Sequence, residues 1–474
     1  MTLADFAARA LPRWPWQRHE PDAAHGAPAG LLPRHAHTTW ESEPFIPVSR
    51  FEIAERMATT GRWGEVPPDT IRRLFRYLSA WRHVIYKERL DDLEQTYLPF
   101  SPETDLLRIG TFTPERIADY RARFIGGIKR LLKQANYIEV PRDEVPALMD
   151  RETVHGLALK VDLGDFEECV VYRRGTDYTI EARPTIWTGY LWTQEFTVPV
   201  YQRLAVLLKL WPEEERIAQV MSAKGVSHRK ARAMVRRSRS SLPVGIDCDR
   251  IYVKLFRDIP HTNLEMLFPN TRVQFSRADK IRLGGSAIGG LGIGIFGAAW
   301  NLVTAAVLSP YLLGVALFGL AGIIVRQVLG YFNQRTQYMK ILAENLYFHT
   351  LADNRSAFTL LANRAEEEDV KEEMLLYSVL ATEPVHRDDL PTIKDRVSAY
   401  LQQEFNVDVS FDIHDALERL MRDGVVREAP DGLLLTLAPM AALEHFDAMW
   451  DGYLQPHGLD RRLLGEAAPA AAGM

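Results

Sequence analysis

The chain is poor in cysteine: Cys169 and Cys248 are the two among 474 residues, far apart and without a metal-ligand spacing. That excludes a disulfide-built scaffold and a cysteine-rich zinc site, and it fits a reducing compartment. Catalytic signatures are absent too. There is no GxSxG, no HExxH, no GxxxxGK followed by Ser or Thr, and no GxGxxG between a strand and a helix. Gly290-Leu-Gly292 lies in an apolar stretch where no phosphate would go, the 13 histidines are scattered, and His155-Gly156 reads as a turn. No enzymatic activity, no cofactor and no metal site are expected. Charge itself is missing from 43 consecutive residues, Leu283 to Val325, which hold no Asp, Glu, Lys, Arg or His.

One membrane-spanning helix needs about 20 apolar residues. A run twice that long, broken by Ser309-Pro310, reads as a two-helix transmembrane hairpin within 277–335, with arms at about 284–308 and 311–332. Pro310 lacks an N–H and disfavours helix at Ser309, so the turn belongs there. The first arm is rich in glycine. Gly285/Gly289 and Gly290/Gly294 form GxxxG pairs, with Ala298 one turn further, a pattern that lets another backbone approach closely. The groove either receives the second arm or joins several hairpins. Arg272, Arg277, Lys280 and Arg282 precede the arms and Arg326, Arg335 and Lys340 close them, while the turn is uncharged. By the positive-inside rule both termini would be cytoplasmic.

At roughly one domain per 150 residues the chain holds about three units. The pattern predicts an α+β protein. A disordered lead-in (1–40) precedes a helical N-terminal domain (41–150) and a mixed α+β domain (151–276). The hairpin, a helical segment (336–384), a winged-helix-like module (385–455) and a disordered tail (456–474) follow. Leu3, Phe6, Ala7, Ala10 and Leu11 make one short amphipathic stripe, and no secretory signal is evident. Asp69 is a candidate cap for a helix through Ile71, Leu74, Phe75, Leu78, Trp81 and Ile85. Thr113-Pro114 is a cap followed by proline at the first helical position. Cys169–Tyr172, Phe196–Tyr201, Leu204–Leu210 and Ile251–Phe256 read as strands. Glu366-Glu367-Glu368-Asp369 reads as the acidic first turn of a helix, favoured there by the helix dipole.

Net charge of −5 and a pI near 6.3 give no general pull towards nucleic acid, and no such partner is expected. One basic run stands out: Ser222 to Ser241 holds seven Lys or Arg and no acid. Arg229, Lys230, Arg232, Arg236, Arg237 and Arg239 are candidate contacts for anionic lipid headgroups. A nucleic-acid patch would lack interleaved aromatics, and a solvated helix or loop is the plain alternative. The C-terminal module orders a helix, a second helix and a hairpin around Pro430-Asp-Gly432, as winged helices do. Between His386 and Leu437, 6 Lys/Arg face 11 Asp/Glu, a net of −5 that would repel a duplex. A protein-contact or structural role is expected instead.

Several stretches resemble a known family. Val253-Lys-Leu-Phe-Arg-Asp-Ile-Pro260, Asn263-Leu-Glu-Met-Leu-Phe-Pro-Asn270, the Gly-rich hairpin, Glu344-Asn-Leu-Tyr-Phe348, Glu43-Pro-Phe-Ile-Pro-Val-Ser-Arg50 and Leu163-Gly-Asp-Phe-Glu167 are similar to transmembrane protein 143-like proteins, which carry domain of unknown function 3754. The resemblance implies an integral membrane protein with no assigned activity and no catalytic residue to carry over. With the Ala/Arg-rich composition, a bacterial inner membrane is expected, or a mitochondrial membrane in a eukaryote. The function expected is a membrane-anchored scaffold or adaptor that presents its domains to a protein partner or to another copy, with membrane lipids as the other contact. An oligomeric channel built from the hairpin is the alternative.

Overall fold

The computed structural model describes residues 44–103, 112–145, 157–184, 193–240, 242–243, 245–260, 264, 267–275, 322, 340, 346–410 and 412–453. Ser49 caps the first helix, α1 (Arg50–Thr59), by accepting from the Phe51 amide. Pro68 opens α2 (Pro68–Tyr97) at its first helical position, so Asp69 sits inside the first turn rather than capping it, paired with Arg72. Its apolar stripe, Ile71, Leu74, Phe75, Leu78 and Trp81, is buried. Thr113 caps α3 (Pro114–Gln134), accepting from the Arg116 amide at 3.3 Å.

The chain then turns to strands: β1 (Ile138–Val140), β2 (Leu157–Lys160), β3 (Phe166–Pro184) and β4 (Thr193–Leu210). Two helices, α4 (Glu213–Lys224) and α5 (His228–Arg239), precede β5 (Ile251–Pro260), β6 (Arg272–Phe275) and β7 (Thr350–Asp353). Five strands form one antiparallel sheet in the order β1-β3-β4-β5-β7, and β2 pairs with β6 separately. The stretches Phe196–Tyr201 and Leu204–Leu210 are one strand, β4, because its pairing with β3 runs on through Arg203, which lies opposite Arg174. The inward-facing parity shifts at Gln202-Arg203, so that Tyr201 and Leu204 share a face. Val170, Tyr172, Ala205, Leu207, Val253 and Leu255 face α2, α3 and α6 (Asn354–Leu380). Their neighbours Cys169, Val171, Leu204, Val206 and Leu208 face Leu264, Leu267 and Phe268. With both faces covered there, Cys169–Tyr172 of β3 and Leu204–Leu208 of β4 are unbroken apolar runs.

Helix α6, 27 residues and about 40 Å long, is the axle of the structure. Its first half (Ala357, Phe358, Leu361, Ala362, Ala365) belongs to the core under the sheet. Its last turns (Met374 to Leu380) belong to a second core, with α1, the start of α2 and the C-terminal elements. Those are α7 (Leu390–Phe405), α8 (Ile413–Arg422), the hairpin β8 (Val426–Glu428) and β9 (Leu434–Thr436), and α9 (Pro439–Tyr453). Asp412 caps α8 by accepting from His414 and Asp415. Gly432, at φ +84°, makes the hairpin turn.

The α+β class is what the structure shows, but the expected transmembrane hairpin is corrected. Among the described residues no helix is long and apolar enough to cross a membrane. The three long ones, α2, α3 and α6, carry charged side chains throughout, and some of those on α2 and α6, such as Arg82, Glu368, Lys371 and Glu373, are paired inside the protein. The arms at 284–308 and 311–332, with Gly285, Gly289, Gly290, Gly294 and Ala298, lie outside the described residues, Gly322 excepted. The integral-membrane assignment, the inner-membrane location with cytoplasmic termini and the mitochondrial alternative are withdrawn with the hairpin. The expected disordered segments 1–40 and 456–474 also lie outside the described residues.

Candidate functional site: a buried charge network and a basic helix pair

The run Glu366–Asp369 is not a first turn. It lies in the middle of α6, at the junction of the two cores, and Glu366, Glu368 and Asp369 are buried. Buried charge survives when it is paired and hydrogen-bonded, and here the three buried acids have partners drawn from distant segments, while the half-buried Glu367 pairs with Arg364 on the same helix. Glu366 meets Arg50 at 3.3 Å and His83 at 2.9 Å. Glu368 takes Arg174 of β3 at 2.9 Å, Lys371 at 2.7 Å and the Ile46 amide at 3.0 Å. Lys371 in turn donates to the Ile46 carbonyl at 2.6 Å.

The centre joins α2, α6 and α8. Arg419 of α8 reaches Asp369 at 3.1 Å, Glu372 at 2.6 Å and Glu373 at 2.7 Å. Arg82 of α2 reaches Glu373 at 2.9 Å and pairs with Asp423, just beyond α8. Tyr86 donates to Asp369 at 2.7 Å and Asn136 to Glu372 at 3.2 Å. Four carboxyls thus share two guanidiniums. Burial pushes Glu372 up to about 8, above the usual carboxylate range, and raises Asp369 and Asp423 as well. Burial thus favours the protonated form of Glu372, against the pull of Arg419. A shift of these carboxyls towards the neutral form lessens the repulsion that the surplus of acid would cause.

A second polar node lies under the basic run. Asp165, 1 % exposed, accepts from Arg216 of α4 at 3.0 Å, from Asn270 at 3.4 Å and from Ser238 of α5. Asn270 also donates to the Asp162 carbonyl at 2.8 Å. Two sequence stretches more than a hundred residues apart, Leu163–Glu167 and Asn263–Asn270, therefore meet through Asp165 and Asn270. Gly164 lies against this packing: an added Cβ would stand 2.6 Å from Arg216 Nη2, the terminal atom of a side chain that would have to shift. Beside the node a cleft of about 280 Å³ is lined by Asp162, Arg216, Lys224, Met234, Arg237 and Ser238, among others.

The basic residues divide by role. Arg239 is structural, donating to the Trp211 carbonyl and, at 3.3 Å, to Cys248 Sγ. Arg236 lies 3.6 Å from Glu213, and Arg237 borders the cleft. Arg229, Lys230 and Arg232 are exposed and make no ion pair among the described residues. Cys169 is buried, its thiol pushed up to about 11. Among the described residues no group of three His, Cys, Asp or Glu is placed to hold a metal ion. Sequence reasoning missed Arg82, Arg174, Arg419 and Asp165. The available signal was that the acidic run of α6 interrupts apolar positions that continue at helical spacing on both sides, Leu361 and Ala365 before it and Met374 and Tyr377 after it.

The segment from β3 to the start of α6 carries both the Asp165–Asn270 surroundings and the basic helix pair. Residues 166–356 match the model of a family described as protein of unknown function, DUF3754. The DUF3754 segment contains α4, α5, Arg174 and Asn270, while the network centre on α6 and α8 lies beyond it. No solved structure matches the chain.

Proposed function

We propose that the chain is a non-catalytic scaffold that presents its winged-helix-like module to a protein partner. The observation that carries this reading is the ion pairing of Arg419. In a groove-binding winged helix the second helix offers its cations to a duplex. Here the central cation of α8 is turned inward onto Asp369, Glu372 and Glu373. The exposed positions of α8 are His414, Asp415, Glu418 and Arg422, an acidic mixture. Around it the module leaves Leu435, Met440 and Trp450 about half exposed. Large apolar side chains of this kind anchor protein interfaces. The carboxyls with raised pKa are enclosed and line no part of the 280 Å³ cleft, which favours a conformational role for them over acid–base chemistry. The wider resemblance to transmembrane protein 143-like proteins supports placing the chain among relatives without an assigned activity.

The test is photo-crosslinking in cells from a reactive residue placed at Leu435, Met440 or Trp450. The expected result is one partner band, shared between positions and lost when Trp450→Asp is added. Absence of any crosslinked species from all three positions would remove the scaffold reading.

A further inference from the structure

The basic run acquires a shape that composition does not reveal. α4 and α5 have 12 residues each and are joined by three, Gly225-Val-Ser227. Gly225 ends α4 in the left-handed region (φ +60°), with its N–H on the Met221 carbonyl at 2.9 Å. A short turn of this kind, with glycine where a side chain would be strained, is the connection of a helix-turn-helix. The pair has its own small core of Ile217, Val220, Ala231 and Val235, in which fully buried Ala231 lets the helices approach. It is fastened to the rest by Asp165, which accepts from both helices, and by Arg239 on the Trp211 carbonyl.

The outward face of the second helix is cationic. α5 contains no acid, and Arg229, Lys230, Arg232, Arg236 and Arg237 are all exposed opposite Ala231 and Val235. The acids at the start of α4 engage the far ends of this face, Glu213 with Arg236 and Glu214 with His228 at 3.8 Å. Arg229, Lys230 and Arg232 are left for an external anion. The chain's net charge of −5 does not oppose this, because charges more than about 10 Å away are largely screened at ordinary ionic strength.

We propose that α4 and α5 form a helix-turn-helix that docks on duplex DNA, with α5 in or along the major groove. A helix carrying an uninterrupted cationic face matches a polymer with one phosphate charge per ~1.7 Å of axis. The lack of interleaved aromatics disfavours single strands, which need stacking platforms, and is irrelevant to a duplex. The deep, narrow major groove of A-form RNA does not admit such a helix, whereas that of B-DNA, about 12 Å wide, does. This inference is independent of the protein-docking reading of the C-terminal module.

The experiment is fluorescence anisotropy of the full chain with a labelled DNA duplex of about 25 base pairs. Binding should weaken as salt rises, with a log–log slope of about −3 for three phosphate contacts. Replacing Arg229, Lys230 and Arg232 together by Glu should weaken it at least tenfold with an unchanged thermal midpoint, since these side chains are exposed. Arg229→Lys with Arg232→Lys should keep most of it, because a phosphate needs charge rather than a fork. Arg422→Glu, on the acidic module, should leave it unchanged. The proposal is overturned if no duplex binds at 50 mM salt, if Arg422→Glu costs as much as the triple change, or if single-stranded DNA, polyglutamate or anionic vesicles bind in place of the duplex.

Discussion

Arg82 and Asp423 stand 341 positions apart in the chain and form an ion pair sealed from solvent. Through it, and through Glu373 between Arg82 and Arg419, the N-terminal helix α2 is tied to α8 across α6. Such a pair gives little net stability compared with an apolar contact, yet removing one partner leaves the other charge buried alone. It fixes which surfaces meet.

Arg419→Ala should therefore be among the most damaging single changes. It leaves Asp369, Glu372 and Glu373 without their shared guanidinium, a loss of about 3–5 kcal/mol for a broken buried network. Chemical denaturation should show an early transition for the C-terminal module or a lower midpoint for the whole chain. A midpoint within experimental error of wild type would contradict the network's role.

Glu372 predicts a pH dependence with a definite sign. Its folded pKa, about 8, lies above the ordinary value near 4.5, so the folded protein holds a proton that the unfolded chain releases. The contribution is fully present below pH 4.5 and is lost as pH rises through 8. Asp369 and Asp423, also raised by burial, act in the same direction. Urea unfolding across pH 5 to 9 should show stability falling towards alkaline pH. Glu372→Gln should flatten that fall and gain a few kcal/mol relative to wild type at pH 9. An identical slope in the variant would refute the assignment.

Gly164→Ala should loosen the basic helix pair. Its Cβ would press on the Arg216 guanidinium, whose Nε donates to Asp165, and shifting that flexible end costs about 1 kcal/mol or less. Hydrogen exchange should rise in α4 and α5 while α6 stays protected. Uniform exchange across all three would show that Asp165 does not anchor the pair.

The two thiols should differ from free cysteine. Burial raises Cys169 to about 11 and raises Cys248 as well, and the thiolate is the reactive form. Mass spectrometry after iodoacetamide at pH 7.5 should find Cys169 unmodified in the folded protein and alkylated in urea. Rapid labelling of folded Cys169 would contradict its burial in the sheet.

Much of the local structure was legible in the sequence. Thr113-Pro114 does open a helix, and the stripe from Ile71 to Trp81 is a buried face. The alternation at Cys169–Tyr172 is a strand whose two sides meet two cores. The order of two helices and a hairpin after His386 is also as read, with Gly432 at the turn. These features follow from period, caps and turn chemistry, all set by neighbours in the chain. The charge-free stretch misled, since apolar length alone pointed to membrane spans and no described helix is long and apolar enough to be one.

The sequence by itself determined where helices and strands form, because backbone sterics, capping and hydrophobic period act over a few residues. It also determined the scarcity of cysteine and of catalytic motifs. Only the tertiary structure decided what the charges do. Glu372 and Glu418 are both helix glutamates to a reader of the sequence, yet one is enclosed, its pKa raised by burial, and the other faces water. Arg419 and Arg229 are both helix arginines, yet one is bound to three acids and the other is open to a partner. A charge takes its meaning from the dielectric and the counter-charges around it, and these are supplied by residues such as Arg82, distant in the chain and adjacent only after folding.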